Sequence, residues 1–146
     1  MRARERCADG VAHEQDEGSV LLLTLGYVLL ALAVIFVCVC ATDLYIAQKR
    51  LDALADSAAL AGADGFTLAV HDGSVRAELT DDGVEQQADA LVAALPGEAS
   101  ITAAGTPDGV TARVTVSAEW HPPLVSVFVP GGVPLESTAT SRTALR

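Results

Sequence analysis

SVLLLTLGYVLLALAVIFVCVCAT, residues 19–42, holds no charged side chain, and the charges that bound it are Glu17 and Asp43. Ser19 and Val20 open the run, Leu25, Leu32 and Phe36 lie within it, and Ala41 and Thr42 close it. In hydrocarbon each Asp, Lys or Arg at mid-helix costs roughly 2.5–3.5 kcal/mol, whereas Leu, Ile, Val and Phe each contribute about −0.3 to −0.6. Seven Leu, five Val, Ile35 and Phe36 together supply on the order of −6 kcal/mol, enough to outweigh Thr24 and Gly26. At a rise of about 1.5 Å per residue the run covers roughly 36 Å, slightly more than a hydrocarbon core of about 30 Å. The stretch predicts a transmembrane helix.

This run changes the meaning of the whole composition. The 146 residues are 51% apolar and 19% charged, which excludes a disordered tail, a collagen-like repeat and a disulfide scaffold. Twenty of the 24 residues in the run are apolar, leaving about 44% elsewhere, so the remainder is Ala-, Thr- and Ser-rich and its core should be shallow. The net charge is −10, and the nine basic residues are scattered. No electrostatic footprint for nucleic acid is present.

A cleaved secretory signal is the competing reading, because Val39 and Ala41 sit three and one residues before a cut at Thr42. Against it, residues 1–17 carry five acids against three arginines, and a signal's apolar region usually runs about 7–15 residues. Val precedes both Cys38 and Cys40, which argues against a lipid anchor on either. Arg2, Arg4 and Arg6 before the run and Lys49 and Arg50 after it leave orientation open on charge alone. All three cysteines fall at or before Cys40, so residues 43–146 form no internal disulfide.

Helical periodicity continues past Asp43. Leu44, Ala47, Leu51, Leu54, Ala58 and Ala61 recur at spacings of 3, 4, 3, 4 and 3, an amphipathic stripe whose small side chains suit close approach by the chain's own sheet or by another subunit. Gly62 and Gly65 supply a helix end, and no proline interrupts residues 19–63. The two pieces are expected to form a single helix of about 45 residues.

Asp16-Glu17-Gly18-Ser19-Val20, then the run, then Asp43-Leu44-Tyr45-Ile46-Ala47, then Leu51-Asp52-Ala53-Leu54-Ala55-Asp56-Ser57-Ala58-Ala59-Leu60-Ala61-Gly62-Ala63 resembles the N-terminal module of TadE/TadG-like proteins of the tight-adherence (Flp) pilus assembly system. The distinctive part is the block from Leu51 to Ala63. The resemblance implies a single-pass protein with a cytoplasmic N-terminus and an exported C-terminal domain. The pseudopilins of that group are cut after a Gly that leads into the apolar helix, with a Glu five positions later. Here Leu23 lies five positions after Gly18, and Gln15 five after Gly10. The chain therefore looks more like an unprocessed, TadG-like accessory than a cleaved minor pilin.

Beyond the helix, Phe66–Val70 and Val75–Leu79 flank Asp72-Gly73, a two-residue hairpin signal. Asp82, with Glu85 three residues on, resembles a helix cap, and Val84, Ala88, Leu91 and Leu95 share a face up to Pro96-Gly97. Ile101 opens a second β region with a turn at Thr106-Pro107-Asp108-Gly109, followed by strict alternation from Val110 to Trp120. His121-Pro122-Pro123 breaks that strand, the apolar 124–129 reads as a buried loop or membrane-proximal segment, and a last strand is expected from Val133 to about Ala144.

Chemistry-bearing clusters are sparse. The three histidines lack metal-ligand spacing, residues 43–146 contain no cysteine, and Asp81-Asp82 lacks the ligand series of a calcium loop. Gly131-Gly132 stands between prolines and reads as a turn, not a phosphate cradle. Trp120, Leu124 and Phe128 read as core, with a docking surface as the alternative.

The expected architecture is α+β: a cytoplasmic segment (1–18), a transmembrane helix (19–42), a membrane-proximal amphipathic helix (43–65), and a small pilin-like exported domain (66–146) with a short helix and an antiparallel sheet. The expected function is a non-enzymatic, membrane-anchored component of Tad/Flp-type pilus assembly or a related secretion apparatus. It would act through helix packing and protein contacts, with lipid, other apparatus proteins and further copies of its own N-terminal helix as partners. No cofactor, metal, nucleic acid or small-molecule substrate is expected. The alternative is an anchored or secreted acidic extracytoplasmic binding module, an adhesin or sensor, since residues 43–146 carry 14 acids against 6 basic residues.

Overall fold

A computed structural model describes residues 9–123 and 131–143. The first element is a single helix, α1 (Asp9–Asp64), followed by β1 (Thr67–His71), β2 (Ser74–Glu78), α2 (Asp81–Ala94), β3 (Ser100–Gly105), β4 (Thr111–Trp120) and β5 (Val133–Arg142). The chain divides into two compact units, Met1–Ala41 and Thr42–Arg146. It is α+β, with a long apolar N-terminal helix and a small antiparallel-sheet domain.

In the first unit the helix carries the uncharged run, which is long and apolar enough to cross a membrane and is not buried inside the molecule. Helical structure reaches back to Asp9, ten residues before the run. The hydroxyl of Thr24, inside the apolar run, is satisfied locally: its Oγ1 donates to the carbonyls of Val20 at 2.7 Å and Leu21 at 2.9 Å. Such back-bonding removes most of the cost of a hydroxyl where water is absent.

In the second unit, the α1 residues Leu51, Ala55, Ala58, Ala59 and Ala63 are buried with Ala112, Val114 and Val116 of β4 and Ala139 of β5. The sheet order is β3-β4-β5, antiparallel throughout. Period-two alternation sends Ala112, Val114 and Val116 inward and leaves Arg113 exposed on the other face. β3 carries an irregularity between Ile101 and Ala103 that lets Ile101 and Ala104 both pack on the core. The core is built of small side chains, and its largest wholly buried ones are Val84, Val114 and Val116.

Helix α2 closes the core with Val84 and Ala88. Its cap is Thr80, whose Oγ1 accepts from the Gly83 amide at 3.2 Å, which corrects the assignment to Asp82. Asp81 and Asp82 instead occupy the first turn, where negative charge complements the helix dipole. Asp81 Oδ1 also accepts from the Thr106 amide at 2.7 Å, tying α2 to the end of β3.

The hairpin forms as read, with register Leu68↔Ala77 and Val70↔Val75. Asp72 (φ 50°) and Gly73 (φ 77°) both take the left-handed conformation of a type I′ turn. Ala77 is buried, but the large apolar residues do not join the core: Leu68, Val70 and Val75 are 65%, 72% and 59% exposed. β1 and β2 form a separate two-stranded sheet.

Against the expected Val110 start and Ala144 end, β4 begins at Thr111 and β5 ends at Arg142, and just outside the ladder the Thr143 amide donates to the Val110 carbonyl at 3.0 Å. The apolar 124–129, with Leu124 and Phe128, lies outside the described residues.

Candidate functional site

The distinctive block Leu51–Ala63 does its visible work inside the second unit. Leu51 is 4% exposed, Ala55, Ala58 and Ala59 are fully buried, and Ala63 is 2% exposed. The buried stripe therefore runs Leu51-Ala55-Ala58/Ala59-Gly62/Ala63. It is rotated from the predicted one, whose Leu54 and Ala61 sit half-buried on its flank. Gly62 is there for contact: a Cβ on it would lie 2.9 Å from Val84 Cγ1 and 3.5 Å from the Ala112 Cβ. Gly65 and Gly83 meet backbone to backbone in the same way, each leaving less than 3 Å for a Cβ on the other. Within the block, Asp56 and Leu60 remain exposed, Leu60 at 58%.

A second set of residues, off the predicted apolar stripe, ties α1 to β5. Asp52 Oδ1 accepts from Ser137 Oγ at 2.8 Å and Gln48 Nε2 at 3.0 Å, while Oδ2 pairs with Lys49 Nζ at 3.0 Å. Gln48 Nε2 also reaches the Glu136 carbonyl at 3.2 Å. The Lys49 ammonium, followed by the hydroxyl of Ser137 and the amide of Gln48, holds the Asp52 carboxyl down at about 2. In return Asp52 raises Lys49 above the ordinary lysine range, first by their hydrogen bond and then by its charge. The local sequence signals for this knot are the Gln48–Asp52 spacing of four and the Lys49–Asp52 spacing of three on one helix face.

At the start of the second unit, the Trp120 indole Nε1 donates to Asp43 Oδ2 at 2.8 Å. Trp120 is thus half-buried at the end of β4 and hydrogen-bonded, rather than a core residue. Tyr45 is 63% exposed, and Lys49 Nζ lies 5.9 Å from its ring centre. In the apolar run, Ser19, Val20, Leu25, Leu32, Ala41 and Thr42 are exposed and Phe36 is half-buried. Gly18 is helical.

Residues 18–65 match the Tad family model. Its description is "Putative Flp pilus-assembly TadE/G-like". The Tad match covers about a third of the chain and takes in the apolar run, Asp43, Tyr45, the Asp52 knot and the buried Ala-rich block. No curated protein and no solved structure matches the chain.

Outside the Tad segment, the β3–β4 turn is locked by Asp108. Its Oδ1 accepts from the amides of Val110 (3.1 Å) and Thr111 (2.6 Å), and its Oδ2 from Thr111 Oγ1 (2.8 Å). The Thr111 hydroxyl, then the Val110 amide, hold the Asp108 carboxyl below the usual carboxylate range. A cavity of about 300 Å³ on the outer face of the sheet brings Glu98 and Glu119 near Ser100 and Ser117, without a histidine to activate a hydroxyl. Among the described residues no group of three His, Cys, Asp or Glu is placed to hold a metal ion.

Proposed function

We propose that the chain is a membrane-anchored, non-enzymatic component of a Tad/Flp-type pilus assembly apparatus. The observation that carries this reading is the Tad match over residues 18–65, on a helix whose apolar run is long enough to span a bilayer. Residues 19–42 cross the membrane once, the N-terminus stays in the cytoplasm, and the sheet domain lies on the other side.

The packing supports a division of labour along α1. The small residues of the Leu51–Ala63 block are consumed within the second unit. Contacts with other apparatus proteins or with a second copy therefore fall to the apolar run and to surfaces left open, including Leu60 and the hairpin face of Leu68, Val70 and Val75. The match to a pilus-assembly family supports a structural role over a catalytic one.

Co-purification tests this reading. The tagged full chain, extracted in mild detergent from cells making the pilus, is expected to bring down apparatus proteins that an unrelated single-pass protein of similar abundance does not. Recovery of the chain alone, or its quantitative release into the medium as a fragment beginning near residue 42, would instead support a secreted binding module.

A further inference from the structure

We propose that the Asp43 end of the sheet domain is itself a lipid-binding surface, with Trp120 seated in the headgroup layer of the bilayer that the helix crosses. This deepens the membrane-anchored reading of residues 19–42 and rests on it. Asp43 is the first residue after the uncharged run, so chain continuity fixes it where the chain leaves hydrocarbon. Trp120 is joined to Asp43 through a 2.8 Å hydrogen bond, which places the end of β4 at that same level. An indole with an apolar body and one satisfied polar edge is the side chain most at home at the boundary between acyl chains and water.

The neighbouring residues fit the same layer. Tyr45 and Ile46, 63% and 43% exposed, lie about 5–6 Å along the helix beyond Thr42 at 1.5 Å per residue. That falls within a headgroup layer about 5–8 Å thick on each side of the hydrocarbon. Lys49 and Arg50 occupy the next turn, both exposed; Lys49 is paired with Asp52, and the stem of Arg50 lets its charge sit among phosphates. Residues 43–52 carry two cations against two acids, while residues 53–146 carry four against twelve, so this end is the least acidic part of the domain. Glu119, the acid next to Trp120, alternates onto the opposite face of the sheet. The apolar 124–129 is not part of the proposed surface.

Trp120 is the only tryptophan of the chain, so its fluorescence reports the surface directly. The full chain is reconstituted into liposomes carrying a nitroxide either at the headgroup or at the acyl-chain centre, and flotation of the same sample measures membrane retention. The expected result is a loss of about half or more of Trp120 emission with the headgroup quencher, a smaller loss with the deep quencher, and protection from aqueous acrylamide. Unquenched emission with both lipids and full acrylamide access, in protein that floats with the liposomes, overturns this inference and leaves the anchor intact. Protein that fails to float overturns both.

Discussion

Asp52 on α1 and Ser137 on β5 are 85 residues apart in sequence and 2.8 Å apart in the fold. With Gln48 reaching both Asp52 and the Glu136 carbonyl, this pair makes the helix and the edge strand one body, so the segment matched to the Tad family is also the platform of the sheet. The same helix thus carries two unlike tasks: an apolar run whose large side chains are exposed apart from the half-buried Phe36, and a stretch of Ala and Gly that is buried.

The Asp52 pair sets an acid limit. Its carboxyl sits at about 2 against an ordinary 3.8. A folded value below the unfolded one adds stability that is fully present above the unfolded value and is lost as pH falls from there toward 2. In the full chain in detergent, followed by Trp120 emission, the melting temperature is expected to fall more steeply between pH 4 and pH 2 in the wild type than in Asp52→Asn. Parallel profiles for the two proteins would show that the pair contributes nothing.

Gly62 and Val84 should couple with a change of sign. Alanine in a helix is favoured over glycine by about 0.8–1.0 kcal/mol, but a Cβ at Gly62 lies 2.9 Å from Val84 Cγ1, and overpacking costs about 1–3 kcal/mol. Gly62→Ala is therefore expected to destabilise the wild type and to stabilise a Val84→Ala background. A double-mutant cycle by urea denaturation measures this, and additive effects would contradict the packing described.

Thr80→Ala removes the cap hydroxyl of α2 and should cost about 1 kcal/mol. Asp82→Asn leaves that hydrogen bond in place and should cost a few tenths at most, through the helix dipole. Comparing the two denaturation midpoints decides between Thr80 and Asp82 as the cap.

The apolar run carries on the order of −6 kcal/mol, and each Leu or Ile replaced by Arg removes about 3–4 of that. One substitution should leave insertion weakened, whereas Leu32→Arg with Ile35→Arg should abolish it. Carbonate extraction of membranes is the measurement. Full retention of the double variant would mean that the run is not what anchors the chain.

What was legible in the sequence was local. Asp72-Gly73 specified its turn because both residues must take positive φ, and the alternation from Ala112 to Trp120 specified its strand because period two needs only neighbouring residues. Which face is covered was not legible. The hairpin's Leu68 and Val70 look like core residues, but none of the described elements covers them, and the helical stripe is rotated because Val84 and Ala112, far along the chain, decide where α1 presses in. The tie from Asp52 to Ser137 was not legible for the same reason, since Ser137 lies beyond the reach of any helix-spacing rule. Trp120 closed a strand and was read as core, and only the fold brings it to Asp43.

The central claim is that this chain works from the membrane in pilus assembly, and the surface-sheared pilin of cells deleted for its gene tests that most directly. The deletion is expected to strip pilin from the cell surface while leaving its intracellular pool. Full-length chain should restore it, and the variant carrying Leu32→Arg with Ile35→Arg should not. Undiminished surface pilin in the deletion strain, or restoration by the double-arginine variant, would contradict the account.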